Sequence, residues 1–372
     1  TLEEYQKDSI YVIKEVSKII DDEPLLNDEL QELALKLSSY YFASLISVYQ
    51  SMLPPSLKPK KSSLSKPKIQ YETWVRLLSD SEDELTAKQV ECLRLIKANK
   101  EVLKSELKPH IVKALYEKGK IDFFSKEKIR LIQEDVIKTD DFSLNNEQKL
   151  ALDSICYDDY KTYLLEGVTG SGKTEVYLQA ARYFIDQGKS VLMLVPEISL
   201  THQMVKRFKQ RFDNIAILHS ALTPGEKYDE YRRISQNKVN VVVGARSAIF
   251  APLSNIGLII IDEEHEGSYK SETNPKYHAR EVAEYIAKTG KASLVLGSAT
   301  PSLEAYTKAL KGEYRLWILK ERANQMELPQ ISVVDLRQEL KEGNRSMFSR
   351  QLRYEIEQRL KRKEQVRLFL NR

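Results

Sequence analysis

One stretch limits what this chain can fold into more than any other: TYLLEGVTGSGKTEVYLQAARYF, from Thr162 to Phe184. An apolar run ends in a glycine-rich turn that opens an amphipathic helix, and the turn fits G-x-x-x-x-G-K-S/T from Gly167 to Thr174. Strand, turn and helix in that order aim the backbone N–H groups of Gly167, Gly170, Ser171 and Gly172 at one point, where the helix end adds partial positive charge. This geometry suits a phosphate chain. Lys173 then reaches the β- and γ-phosphates and Thr174 offers its hydroxyl to Mg²⁺, so ATP with Mg²⁺ is the expected ligand.

The same stretch commits the surrounding chain to a fold class. TYLLEG, SVLMLVPE, IAILHS, VNVVVGARS, IGLIIIDEE and SLVLGSATP are nearly continuous apolar runs alternating with amphipathic helical segments. That alternation predicts an α/β fold, a RecA-like P-loop parallel sheet covered by helices, with ligands at the carboxyl ends of its strands. One of those ends is unusually acidic: IGLIIIDEEHEGSYK, from Ile256 to Lys270, passes from a buried strand to three carboxylates and a histidine. Like charges crowded together cost free energy unless a cation or proton relieves them. With a P-loop upstream, Asp262 is expected to hold Mg²⁺ and Glu263 to orient and deprotonate the attacking water.

At 372 residues with 42% hydrophobic content the chain is long enough for two or three domains with real cores. Its longest mostly apolar stretch, YYFASLISVY, falls well short of the roughly 18 residues a membrane span needs. No secretory signal opens it, and the isolated Cys92 and Cys156 suit a reducing compartment, so a cytoplasmic protein without membrane contact is expected. A net charge of +4 is too small to identify a partner. The first residue is not methionine and the chain stops at LFLNR, which reads as a fragment ending at the start of a strand.

The domain reading is a helical tail over 1–55, a linker over 56–70, a small winged-helix domain over 71–140, the P-loop lobe over 141–330 and the start of another lobe over 331–372. LPPSLKPKKSSLSKPK, with five lysines and four prolines, marks the linker. TAKQVECLRLIKA carries a Thr86 N-cap, and KSELKPHIVKALYEKGKIDFFSKEKIR reads helix, turn, helix, glycine, short hairpin. There Lys108, Lys113, Lys118, Lys120, Lys126, Lys128 and Arg130 are either phosphate contacts or solvated charges of a docking module. His110, His202 and His219 have no partners at metal-ligand spacing.

Several motifs together resemble a known family. DEEH is similar to the acidic box of DEAD/DEAH-type superfamily 2 helicases, GSATPS from Gly297 to their coupling motif III, and LVPEISLTHQM to motif Ia; LNNEQKLALDSI places Gln148 where such helicases put a glutamine near the adenine. With GARSAIFAP and DEEHEGSYKSETNPKYHAREVA, the chain resembles the bacterial primosomal replication-restart helicases over nearly its whole length. The resemblance implies a cytoplasmic, ATP-dependent 3′-to-5′ DNA helicase that recognises stalled or branched forks at the nucleoid, with single-stranded-DNA-binding protein, primosome and helicase-loader proteins as partners. It implies that His265 links the nucleotide site to Ser298 and Thr300, and that Arg246, Tyr269, Lys270, Tyr277, His278 and Arg280 couple DNA contact to hydrolysis; the tyrosines either stack on unpaired bases or cover the sheet edge. Pro196 and Glu197 are expected to shape a loop near DNA. The family's second lobe, with its arginine finger and zinc module, has no counterpart here, so zinc is expected only in a missing C-terminal part. A single lobe is expected to bind nucleotide and DNA with little unwinding. The competing reading is a fork-binding and partner-docking module in which ATP only gates shape.

Overall fold

The computed structural model describes residues 24–58, 69–131, 137–158, 161–197, 202–321 and 330–369. Two compact units result, one within 1–323 and one within 324–372. In the first, two short helices lead: α1 (Asp28–Tyr40) and α2 (Leu45–Met52). Asn27 caps α1 by accepting from Leu30 N at 3.0 Å, and Leu30, Leu33, Ala34 and Leu37 fall on one buried stripe, the 3.6-residue period made physical. Most of the expected lysine-proline linker, residues 59–68, lies outside the described residues.

A small α/β body follows: β1 (Tyr71–Leu77), α3 (Ala87–Asn99), β2 (Glu101–Leu103), α4 (Pro109–Glu117) and β3 (Ile121–Glu127). Thr86 begins α3 as expected, its N–H held by Gln89 Oε1 at 3.0 Å. The strands form one antiparallel sheet in the order β2-β1-β3. After Gly119 the chain makes a single strand, not the local hairpin expected there; it pairs with β1 from Leu77↔Ile121 to Tyr71↔Glu127. That distant partner lets Ile121 join Val75, Leu93, Ile96, Leu115 and Val102 in one core, which a local hairpin would leave uncovered. Much of the basic row read as either phosphate contacts or solvated charges is engaged within the chain. Lys120 donates to Ser81 Oγ at 2.8 Å, Lys118 to Glu84 O, Lys126 pairs with Glu101 and Lys128 with Glu72. Arg130 pairs with Asp229 at 2.6 Å and docks this body on the larger one.

The larger body runs α5 (Asn146–Tyr157), β4 (Thr162–Gly167), α6 (Lys173–Asp186), β5 (Ser190–Leu194), α7 (His202–Arg211), β6 (Ile215–Leu218), α8 (Pro224–Ser235), β7 (Val241–Gly244), β8 (Ile256–Asp262), α9 (Ala279–Gly290), β9 (Ser293–Ser298), α10 (Leu303–Leu310) and β10 (Arg315–Leu319). Its seven strands are parallel, ordered β10-β4-β9-β8-β5-β7-β6. The six strand candidates are all present. β10, a polar-interrupted edge strand carrying Arg315 and Trp317, joins them beside β4. One face of the sheet packs on α5, α6 and α7, while the other shares a core with α9, α10, α1 and α2. The carboxyl ends of β4, β8 and β9 are adjacent, so the glycine-rich turn and the acidic box meet. In the second unit α11 (Leu336–Lys341) and α12 (Arg350–Lys361) are capped by Asp335 and Ser349. The strand expected at LFLNR is absent through Phe369, and residues 370–372 lie outside the described ones.

Where β7 ends, a Cβ on Gly244 would lie 2.5 Å from Leu218 O and 2.6 Å from Ala248 Cβ. Gly244→Ala is expected to destabilise the chain by roughly 1–3 kcal/mol in urea unfolding, because both neighbours are packed. An unchanged midpoint would contradict that close approach.

Candidate nucleotide-binding and coupling site

Gly167 closes β4, and Gly170 and Gly172 sit at φ +86° and +82°, a left-handed backbone that a side chain would strain. That run turns the chain directly into α6, with Gly172 as its N-cap. Ser171 is buried and its Oγ has no partner, an orphaned polar atom inside the loop. Lys173, also buried, donates from Nζ to Gly167 O at 2.5 Å, and Thr174 is half-buried in the first turn. The turn, the lysine and the orphan hydroxyl fit a phosphate chain. Gln148 is buried beside it, donating to Ser171 O at 2.8 Å while its Oε1 accepts from Asn145 N at 2.8 Å. Its amide therefore braces the phosphate loop as well as capping α5.

Asp262 is buried at the end of β8, with Oδ1 accepting from Tyr177 OH at 3.1 Å. Burial, and then the neighbouring Glu263, push its carboxyl above the usual range, against the pull of Lys173 and Tyr177. A carboxylate so placed, beside the lysine of a phosphate loop, fits a cation. Among the described residues no group of three His, Cys, Asp or Glu gathers for a metal. Glu263 adopts φ +47°, turning its side chain away from the core to one-third exposure. His265 Nδ1 stands 2.7 Å from Ser298 Oγ, which accepts from Thr300 N at 3.0 Å. The ends of β8 and β9 are thereby joined at the three positions expected to couple.

The loop after the acidic box differs from expectation. Tyr269 and Tyr277 are buried: Tyr269 OH donates to Asp262 O at 2.7 Å, and Tyr277 packs edge-on against Phe250 with ring centroids 4.9 Å apart. Of the two readings left open, the rings support the sheet edge and present no stacking face. Arg280 is likewise buried, donating to Glu264 Oε2 at 3.0 Å and Ser302 Oγ at 2.7 Å, so in this structure it clamps the end of β8 to the N-cap of α10. His278 caps α9, accepting from Arg280 N at 3.2 Å. Arg246 donates to Ser268 O and Lys270 O, lies over the Tyr277 ring, and keeps Nε without a partner. With exposed Lys270 it lines a cleft of about 750 Å³ at the carboxyl ends of β5 to β7, together with Lys58, Lys227, His219 and Glu197. Sequence reasoning missed Tyr177 and Glu264. The signal for Glu264 was its place two residues beyond Asp262, and for Tyr177 one helical turn beyond Lys173 on a buried stripe.

The model of DEAD/DEAH box helicases matches residues 145–309, and that of a 3′DNA-binding domain (3′BD) matches residues 2–54. A Bacillus subtilis protein named replication restart protein PriA is 39% identical over 97% of this chain and 54% of its own length. The chain is homologous to the PriA replication restart proteins. The Synechocystis PriA is 44% identical over 70% of this chain and 32% of that protein. A RecG structure bound to a three-way DNA junction aligns with TM-score 0.36 at 26% identity over 50% of this chain and 24% of RecG. The chain thus spans about half the length of the Bacillus PriA. The helicase match encloses Gln148, the phosphate loop, the acidic box and Ser298 to Thr300.

Gly297 faces this site so closely that a Cβ would lie 1.6 Å from Tyr177 OH. Gly297→Ala is expected to destabilise by roughly 1–3 kcal/mol, and Tyr177→Phe to recover much of that loss in a double-mutant cycle. Additive losses would show that the phenol is not the obstacle. Arg280→Ala leaves the Glu264 carboxylate buried and is expected to cost about 3–5 kcal/mol in thermal unfolding, far more than an exposed arginine would.

Proposed function

We propose that this chain is the nucleotide-binding part of an ATP-driven DNA helicase that unwinds branched DNA with 3′-to-5′ polarity where replication restarts. The observation that carries the reading is the adjacency of Asp262, paired with Gly297 across β8 and β9, to the His265–Ser298–Thr300 contact, which gives nucleotide state a mechanical outlet. Fork recognition, primosome and helicase-loader partners and single-stranded-DNA-binding protein follow the relatives' name and the family resemblance. The 3′DNA-binding match over residues 2–54 supports recognition of a DNA 3′ end. Among the described residues no helix is long and apolar enough to cross a membrane.

The residues divide the work. Backbone N–H groups of the loop and Lys173, once it leaves Gly167 O, neutralise phosphate charge. Mg²⁺, held by Asp262 and Thr174, would supply further charge neutralisation on the phosphate oxygens. Glu263, turned toward solvent, orients a water and takes its proton. His265 senses the change and passes it to Ser298. DNA meets Lys270 and Arg246 in the basic cleft, while Tyr269 and Tyr277 hold the loop that carries them.

The test compares this chain with a form extended to the length of its relatives, each with and without forked DNA. Lys173→Ala is expected to abolish MgATP binding, and Glu263→Gln to keep binding while lowering DNA-stimulated hydrolysis about 10²–10⁴-fold. If both forms bind forks and neither hydrolyses ATP, the protein is instead a docking module gated by ATP.

Asp262 gives a pH-dependent check. Its folded pKa is raised, so the stability it contributes is present at low pH and lost as pH rises through that value. Asp262→Asn is therefore expected to raise the melting temperature of the nucleotide-free chain more at about pH 7 than near about pH 4, while abolishing the Mg²⁺ dependence of nucleotide binding. A lower melting temperature at neutral pH would refute the burial argument.

A further inference from the structure

Tyr41 lies in the segment matched to the 3′DNA-binding domain, directly after α1, and besides an edge contact with Tyr40 its side chain meets the loop that follows the acidic box and the first turn of α9. Its hydroxyl donates to Glu281 Oε2 and accepts from His278 N at 3.2 Å. Lys270 Nζ sits over its ring, 5.5 Å from the centroid. Burial, followed by the bond to Glu281, pushes the phenol well above its usual range, so it remains a donor. We infer that Tyr41 is a positioning residue through which the N-terminal DNA-binding segment sets the conformation of the 266–281 loop, and through it the acidic box.

The route is short and made of discrete contacts. Lys270 and His278, both touched by Tyr41, bridge each other across the loop, and Ser271 N donates to Tyr277 O at 2.8 Å just inside that bridge. On the Lys270 side the preceding residue, Tyr269, holds Asp262 O at 2.7 Å. On the His278 side Arg280 holds Glu264 and Ser302. Tyr41 therefore holds the two flanks of a loop whose ends are pinned to the acidic box, one at the Asp262 backbone carbonyl and the other at the Glu264 carboxylate. The packing behind it is stiff: Val48 and Met52 of α2 share one core with Phe250, Tyr269 and Tyr277. A shift of the N-terminal helices cannot leave this loop where it was, and by linkage a shift of the loop acts back on the helices.

This inference rests on the proposed function for its two ligands, a DNA 3′ end and MgATP. It requires that each changes the affinity for the other, and that the phenol hydroxyl carries the effect.

The experiment uses the whole chain, a fluorescent non-hydrolysable ATP analogue with Mg²⁺, and an oligonucleotide with a free 3′ hydroxyl, compared with one blocked by a 3′ phosphate. For the unsubstituted chain the free-ended oligonucleotide is expected to change analogue affinity by on the order of tenfold. Tyr41→Phe keeps the ring and its packing but removes both hydroxyl bonds; it is expected to bring that factor below about twofold, with each ligand's separate affinity nearly unchanged. Glu281→Gln still offers an acceptor oxygen and is expected to retain the coupling, whereas Glu281→Ala loses it. Full coupling in Tyr41→Phe overturns the inference. So do equal losses in both separate affinities with the coupling factor intact, which would mark a merely structural residue, and so does independent binding of the two ligands in the unsubstituted chain. If the unsubstituted chain binds neither ligand, it is the helicase reading itself that fails.

Discussion

Glu264 has no exposed side-chain surface, and the rest of the site depends on how its charge is met. Its two oxygens accept from Ser302 N at 2.6 Å, Ser302 Oγ at 3.0 Å and Arg280 Nη1 at 3.0 Å. A buried carboxylate left unpaired would be costly, so those donors are obligatory. Meeting them fixes the end of β8, the first turn of α9 and the N-cap of α10 against one another. Everything attached to these three points inherits that rigidity, including the loop from Glu266 to His278 and the strand end at Ser298.

With Glu264 fixed inward, its neighbours have few choices. Glu264 N donates to Gly297 O at 3.0 Å, which carries the contact of β8 with β9 two residues past the strand. Asp262 then points to Tyr177 and the phosphate loop, Glu263 takes a left-handed backbone and faces water, and His265 falls against Ser298. Four consecutive residues therefore face four environments. The buried Asp262, its pKa raised by burial and by Glu263, is a cost the fold carries in order to place a carboxylate beside Lys173. Gly297 belongs to the same arrangement, since only a residue without Cβ lets Tyr177 reach Asp262.

The aromatic loop shows how packing reassigns residues whose chemistry suggests otherwise. Tyr269 and Tyr277 could stack on bases if they were exposed, yet both hydroxyl-bearing rings are spent inside, one on a backbone carbonyl and one in the core with Phe250. Outward on the loop lie Lys270 and Glu272, and Lys270 with Arg246 faces a cleft of mixed charge that also holds Lys58, Lys227 and Glu197. The small antiparallel body follows the same logic, with Lys126, Lys128 and Arg130 matched to Glu101, Glu72 and Asp229. Ion pairs of that sort leave less free charge for phosphates than the count of lysines suggests.

By itself the sequence determined the parallel sheet, the phosphate loop and the acidic strand end, because each rests on local pattern: apolar runs of strand length, a glycine spacing that only one turn satisfies, and acids placed directly after a buried strand. It also marked the cap at Thr86, which needs only a neighbour three residues away. The edge strand β10, the pairing of β3 with β1, the burial of Tyr269, Tyr277 and Arg280, and the grip of Tyr41 on Glu281 were decided only in three dimensions. Their partners are distant in the chain, Tyr41 and Glu281 by 240 residues, and no local pattern states which tyrosine or arginine will find a buried acceptor. Whether a polar side chain serves a ligand or the core is settled by what the folded chain places beside it.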